Sequence, residues 1–138
     1  MTGGAAEFGD NPPHRRMGGE LMAYMLLIVE PAGQRTTRTE SEGRALYERM
    51  LRFSAELQSR GVLKLAQSLK TDTVGARVRR DGDKSSVVDG PFAEAKEMIG
   101  GFFLLECDTR SEAIAIAREC PAAEWATVEV RELGPCFE

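Results

Sequence analysis

Two Thr-x-x-Glu sequences, at Thr39 and Thr109, constrain the fold of this 138-residue chain more than any other feature. In such a capping box the threonine hydroxyl and the glutamate carboxylate accept hydrogen bonds from free backbone N–H groups at a helix start. A short apolar run precedes each box, AYMLLIVE at residues 23–30 and GGFFLLECD at residues 100–108. Because such runs are typical of buried strands, the sequence predicts a strand before each of two helices.

Both predicted helices carry one apolar stripe. The first helix ends before Gly61, since glycine is favoured in the left-handed conformation that follows a helix. The second ends at Pro121, which cannot continue a helix. The stripes are formed by Leu46, Met50, Phe53 and Leu57 in the first helix and by Ala113, Ile114, Ile116, Ala117 and Cys120 in the second.

The remaining strands are predicted from shorter patterns. Residues 62–69 form a second strand, and residues 127–133 alternate as a last one. Residues 73–80 and 84–88 form a hairpin around Asp81-Gly82, a dipeptide that favours a type I′ turn. The order β-α-β, hairpin, β-α-β predicts an α+β, ferredoxin-like fold, βαββαβ with an inserted β-hairpin.

Two helices cover only one face of such a sheet. The apolar side chains of the other face need a cover, and the same face of a second copy is the simplest one. The sequence therefore predicts a homodimer that closes into a dimeric α/β barrel with a cleft between the subunits.

The first part of the chain has a different composition. Residues 1–21 are rich in glycine and proline, which predicts a flexible leader, with the folded domain at residues 22–138. His14, the single histidine, falls in this leader. A histidine-based acid–base site or a multi-histidine metal site is therefore not expected in the domain. No metal and no cofactor is predicted.

Charge and cysteine usage narrow the classes of partner. A net charge of −4 argues against sequence-independent nucleic-acid binding, which needs a basic surface. No apolar run approaches the roughly 18 residues of a membrane span, and no signal-peptide pattern is present. Three cysteines without a CxxC pair predict reduced thiols and a cytoplasmic protein, with Cys136 as the exposed, oxidisable one.

The unusual segment is DGPFAEAKE at residues 89–97, followed by MIGGFF. Pro91 suits the first position of a short helix or turn, and Gly90 before it is expected to be extended. Asp89 either caps that helix or acts as a general base in a cleft. Lys96 either binds an anionic ligand, forms an ion pair with Asp89 or Glu94, or is a solvated lysine. The candidate ligand-pocket residues are Asp89, Gly90, Pro91, Phe92, Glu94 and Lys96, with Phe92 favoured as a packing residue.

These motifs carry a family resemblance. Together with YMLLI at residues 24–28 and VEVR at residues 128–131, the DGPFAEAKE and GGF blocks resemble the DGPF branch of the YCII-related superfamily over about residues 22–133. The resemblance implies a small cytoplasmic protein with a ferredoxin-like fold, generally a dimeric α/β barrel, and for most members no assigned activity.

Some relatives of this kind resemble enzymes with a His-Asp pair in the barrel cleft. Aligned by hand, the histidine falls near Met50 and the aspartate near Cys120, so this dyad is absent. Asp89 is then the best remaining candidate for a catalytic residue.

Three functions follow as hypotheses. The first is a small-molecule-binding dimer. The second is a regulatory or interaction module associated with an extracytoplasmic-function sigma factor, since DGPF-type genes resemble those found beside such factors; its partner-binding edge is the hairpin with Arg77, Arg79 and Arg80. The third is a YCII-like lyase or hydrolase using Asp89.

Overall fold

The computed structural model describes residues 23–137. The predicted leader at residues 1–21 lies outside the described residues, as do residues 22 and 138 of the predicted domain. The two helices are α1 (Glu40–Ser59) and α2 (Arg110–Glu119). The six strands are β1 (Ala23–Pro31), β2 (Leu63–Ser68), β3 (Ala76–Asp81), β4 (Lys84–Asp89), β5 (Glu97–Glu106) and β6 (Thr127–Glu132).

The main sheet has the order β2-β5-β1-β6, and each neighbouring pair is antiparallel. Strand β5 lies between β1 and β2, so α1 connects two strands that are not neighbours. This split βαβ arrangement is the one found in ferredoxin-like folds. The predicted α+β class is therefore confirmed, and the strand order agrees with the ferredoxin-like interpretation.

Both capping boxes form as predicted. Around α1, the Glu42 backbone N–H donates to Thr39 Oγ1 at 3.1 Å, and the Thr39 N–H donates to Glu42 Oε1 at 2.9 Å. The same reciprocal bonds join Thr109 and Glu112. After α1, Gly61 has a φ of +77°. The helix boundaries were readable from the sequence because they depend on hydrogen bonds between near neighbours.

Removing the first cap should weaken the fold measurably. We expect Thr39→Ala to lower the free energy of unfolding by about 1 kcal/mol, because the Glu42 N–H loses its side-chain acceptor. Urea denaturation measures the loss. Ser41→Ala, at an exposed position of the same helical turn, is the control and should be neutral or slightly stabilising. Equal losses in both variants would contradict a specific capping effect.

Both helices pack on one face of the main sheet. The core joins Phe53 and Leu57 of α1 and Ile116 of α2 to the alternate residues of β1 that face the helices. Phe53 meets Phe103 of β5 edge to face, with ring centroids 5.4 Å apart. The strand residues of this core are Tyr24, Leu26, Ile28, Phe103 and Leu105.

The opposite face of the sheet carries no helix in the described part of the chain. Met25, Leu27 and Val29 alternate with the core residues of β1 and so lie on this open face. Phe102 pairs with Leu27, and Leu104 pairs with Met25, which places both on the same side. All five side chains are only half-buried. The open face is thus apolar over the two central strands, whereas β6 places Glu129 and Arg131 on the same face beside Leu27 and Met25.

The inserted hairpin is confirmed, but its turn differs from the prediction. Strands β3 and β4 form a two-stranded sheet of their own, and all their residues are exposed. Asp81 pairs with Lys84, so Gly82 and Asp83 form the loop. Only Gly82, with a φ of +67°, is left-handed. The predicted type I′ turn on Asp81-Gly82 is therefore wrong, because strand pairing sets a loop with glycine at its first position.

No helix in residues 23–137 has the length and apolar character needed to cross a bilayer. Within the same residues, no three His, Cys, Asp or Glu side chains are grouped so that they could hold a metal ion.

Candidate functional site

A cavity of about 700 Å³ lies between α1 and the sheet, on the core side. Its wall is apolar where Ile28, Met50 and Phe103 line it, and charged near the end of β1, where Glu30 and Arg35 line it. A mostly apolar cavity with a few converging polar groups is the usual form of a small-molecule site. This cavity is the candidate functional site.

Glu30 is the one buried charged residue among residues 23–137, with 6% of its surface exposed. It continues the core-facing alternation of β1 and binds Arg35, which follows in a short 3₁₀ turn (Gln34–Thr37). Arg35 Nε donates to Glu30 Oε2 at 2.8 Å, and Nη2 donates to Oε1 at 2.9 Å. Such a two-point pair compensates the loss of water around the carboxylate and holds both groups in one orientation.

Arg35 also ties this pair to the neighbouring strands. Its Nη1 donates to the carbonyl of Leu69, which follows β2, at 2.9 Å, and its Nη2 reaches the carbonyl of Gly100 at 3.4 Å. A side chain at Gly100 would collide with the Glu30 carboxylate and lie 2.7 Å from Arg35 Nη2. A side chain at Gly101 would lie 2.9 Å from the backbone oxygen of Gln67. The GG sequence therefore makes room for the ion pair and for β2.

A second polar network lies where the cavity meets the end of the sheet. Gln34 Nε2 donates to the carbonyl of Trp125 at 2.9 Å, and Arg38 Nη2 donates to Gln34 Oε1 at 3.0 Å. Arg49 stacks over the Trp125 ring at 5.5 Å and forms a two-point pair with Glu124. The hydrogen bond from Arg49 lowers the pKa of the Glu124 carboxyl. Arg38 and Trp125 both line the cavity.

The six predicted pocket residues occupy another place. Asp89 ends β4, and the connection to β5 carries the rest of the predicted pocket, none of which lines the cavity. No helix begins at Pro91; the Ala95 N–H donates to the Phe92 carbonyl at 2.9 Å and closes a turn instead. The helix-capping interpretation of Asp89 is therefore wrong. Asp89 is exposed, and its carboxylate makes no hydrogen bond within residues 23–137.

Local packing explains parts of the DGPF sequence. The Gly90 N–H donates to the Gly75 carbonyl at 2.9 Å, and a side chain at Gly90 would collide with the Asp72 carbonyl oxygen. The Gly90–Pro91 peptide is cis. The Phe92 ring lies 3.9 Å from the Arg77 guanidinium, so this phenylalanine packs against the hairpin. Only glycine leaves enough space at position 90.

The charged residues of the same segment are exposed. Neither Glu94 nor Lys96 forms an ion pair within the described part of the chain. The predicted pairing of Lys96 with Asp89 or Glu94 is not formed there, since all three side chains are solvated. Their proposed role in ligand binding stays a prediction.

The cysteines differ in reactivity because they differ in burial. Cys107 and Cys120 are 6% and 2% exposed, whereas Cys136 is exposed. Burial raises the pKa of the Cys107 thiol from 9.0 to about 11, and it also raises the pKa of Cys120. Since the thiolate is the nucleophile, both buried groups are poor ones near neutral pH.

We expect a thiol reagent such as DTNB to label one cysteine in the native protein and all three in denaturant. Cys136→Ser should remove the native signal, whereas Cys107→Ala should leave it. Rapid labelling of a second native thiol would contradict this assignment.

Burial of Cys107 also makes stability depend on pH. Because folding raises the pKa of the Cys107 thiol, the unfolded state releases this proton first. The free energy of unfolding, measured by urea denaturation, should therefore fall as pH rises from 9.0 to about 11.

None of the residues that line the cavity was predicted as a pocket residue from the sequence. Met50, the position near which the histidine of the dyad aligns, lines the cavity, whereas Cys120 is buried in the core. The missed residues are Glu30, Arg35, Arg38 and Trp125. The sequence contains one indication of the role of Glu30: it is a charged residue at a core-facing position of an otherwise apolar strand.

Comparison with known proteins identifies the family to which this sequence is related. The model of the YCII-related domain matches residues 22–136. The chain is also similar to an uncharacterized protein of Rhizobium meliloti (strain 1021), with 36% identity over 93 residues that cover 63% of this chain and 75% of the relative.

Proposed function

The chain belongs to the YCII-related domain family, and we propose that it is a small-molecule-binding protein that acts as a homodimer. The observation that carries the binding proposal is the cavity of about 700 Å³ with the buried Glu30–Arg35 pair in its wall. Its volume is within the range of known ligand sites, roughly 300–1,000 Å³. The proposed ligand lies between α1 and the sheet rather than beside Asp89.

A thermal-shift screen of metabolites tests this site against the rival one. Gly43 lines the cavity, and a Cβ added there meets no atom within 4 Å, so we expect Gly43→Leu to be tolerated and to obstruct the cavity. A compound that stabilises wild type should lose its effect in Gly43→Leu and keep it in Asp89→Ala. The reverse pattern would instead support the DGPF segment as pocket, or the lyase or hydrolase alternative. A screen in which no compound stabilises wild type would overturn the proposal.

The dimer proposal rests on the open face of the main sheet. Its half-buried side chains, among them Leu27 and Phe102, form an apolar surface that a second copy can cover. Two sheets packed through this face would form the α/β barrel. The hairpin and the DGPF segment project beyond the main sheet and are available to such a partner.

A charge placed on the open face tests the dimer. We expect wild type to sediment as a dimer and Phe102→Arg as a folded monomer, because Phe102 lies between Leu27 and Gln67 on the open face and an arginine buried there has no carboxylate opposite it. Val74→Arg is the control: Val74 is 68% exposed and lies in the connection between β2 and β3, outside the main sheet. Circular dichroism shows whether each variant is folded. A monomeric wild type would refute the proposal.

The exposed hairpin favours the interaction module as a second candidate function. Val78 and Val87 face each other on one side of it and are 65% and 63% exposed. Arg77 and Arg79 lie on the other side. A two-stranded ribbon that exposes both valines and arginines, with Arg80 on the side of Val78 and Val88 opposite Arg77, is suited to a protein partner such as an extracytoplasmic-function sigma factor. Pull-down with wild type and with a Val78→Asp/Val87→Asp variant tests it, and recovery of the bait alone from wild type would count against it.

A further inference from the structure

Arg38 lines the cavity with most of its hydrogen-bonding capacity unused. A guanidinium has five N–H donors, and within residues 23–137 that of Arg38 makes one hydrogen bond, to Gln34 Oε1 at 3.0 Å. Its side chain is half-buried. A partly desolvated guanidinium with free donors attracts an anion more strongly than a fully solvated one.

The two other arginines of the cavity wall are engaged. All three nitrogens of Arg35 donate to protein acceptors, on Glu30, Leu69 and Gly100. Arg44 pairs with Glu40 at 2.8 Å, and both side chains are mostly solvated, at 72% and 80% exposed. Arg38 is therefore the half-buried cation of this wall that keeps free donors and has no carboxylate partner among the described residues.

Hydrogen bonds within the protein also hold the Arg38 side chain in one orientation. Gln34 accepts the hydrogen bond from Arg38 while its own amide donates to the backbone carbonyl of Trp125 at 2.9 Å. This chain of two hydrogen bonds connects the 3₁₀ turn to the start of β6. A side chain oriented in advance loses less conformational entropy when a ligand binds.

The charged residues of the cavity wall are three arginines and two glutamates, an excess of one positive charge. The remaining wall is largely apolar, with Leu46, Met50 and Phe103 among its residues. We propose that the ligand is an organic monocarboxylate with an apolar body, and that Arg38 binds its carboxylate. This inference rests on the proposed ligand-binding function and adds the chemical class of the ligand.

Three phenyl compounds that differ only in their polar end test the charge. The probes are 4-phenylbutanoate, 4-phenylbutanol and 4-phenylbutylamine. The chain has a single tryptophan, Trp125, which lines the cavity, so tryptophan fluorescence reports binding at this site. We expect the carboxylate to bind at least about tenfold more tightly than the alcohol, since a hydrogen bond between two charged groups is roughly twice as strong as one between neutral groups. The amine should bind most weakly.

Variants assign the preference to Arg38. Arg38→Gln should abolish the preference for carboxylate over alcohol while the alcohol still binds. Arg52→Gln, on an exposed arginine of α1 outside the cavity wall, should behave as wild type. Gln34→Ala should weaken carboxylate binding only, because Gln34 positions Arg38 without contacting the ligand.

The outcomes separate this inference from the function on which it rests. If neither the alcohol nor the carboxylate binds, the cavity is not a ligand site and both proposals fail. If the alcohol binds as tightly as the carboxylate, the cavity remains the ligand site, but the proposal that Arg38 binds a carboxylate is refuted. Phenyl phosphate serves as a further probe, and tighter binding of this ester than of 4-phenylbutanoate would overturn the choice of a monocarboxylate.

Discussion

Replacing Arg35 by methionine should destabilise the protein by about 3–5 kcal/mol, because the substitution leaves the Glu30 carboxylate buried without its partner. Glu30 is 8% exposed at its side chain and receives two hydrogen bonds from Arg35. The carbonyls of Leu69 and Gly100 lose a donor in the same variant. For a domain of this size we expect Tm to fall by at least about 10 °C. Urea denaturation and calorimetry measure the two quantities.

Two further variants show whether the loss comes from the unpaired charge. Glu30→Leu combined with Arg35→Met removes both charges and should recover most of the stability, since buried pairs replaced by apolar groups are often neutral. Arg44→Met breaks the exposed pair with Glu40 and should cost less than about 0.5 kcal/mol. A double variant as unstable as Arg35→Met alone would show that packing, not charge, is responsible.

Gly100→Ala should be the second most damaging change, with a loss of about 1–3 kcal/mol from overpacking. The new Cβ would collide with the Glu30 carboxylate and lie 2.7 Å from Arg35 Nη2, so the ion pair must shift. Denaturation by urea gives the loss. Gly43→Ala is the control, because its Cβ meets no atom within 4 Å; in a helix interior it should stabilise by roughly 0.5–1 kcal/mol.

A double-mutant cycle identifies the cause of the Gly100→Ala effect. In a Glu30→Ala background the carboxylate is absent and Arg35 is free to move, so adding Gly100→Ala should cost much less than it does in wild type. Equal costs in both backgrounds would mean that the glycine is needed for its backbone conformation alone.

The secondary structure was predictable wherever near neighbours in sequence determine it. The capping boxes at Thr39 and Thr109, the helix end before Gly61 and the apolar strand β1 all depend on such local patterns. Two local predictions failed, because a dipeptide or a single proline does not determine the register of strand pairing or the packing of a connection. Asp81 pairs with Lys84 and moves the turn by one residue, and the connection after Asp89 forms a turn rather than a helix.

The candidate site was less accessible to sequence reasoning because its residues are distant in the chain. Arg35 and Gly100 meet only because β1 and β5 are neighbours in the sheet, and Gln34 reaches Trp125 across 91 positions. The DGPF motif was predicted to form the pocket. In the structure Gly90 packs closely against the turn at Asp72, and Phe92 packs against Arg77.

The sequence by itself determined the two capped helices, the apolar strands, the inserted hairpin and, through the order of these elements, the α+β class. These features follow from periodicity and short-range hydrogen bonds, which are written in consecutive residues. Only the tertiary structure decided that Glu30 is buried against Arg35, that Gly100 makes room for this pair, and that a cavity lies beside α1. Burial of a charge and the shape of a cavity depend on which strands become neighbours, and that is a property of the folded chain.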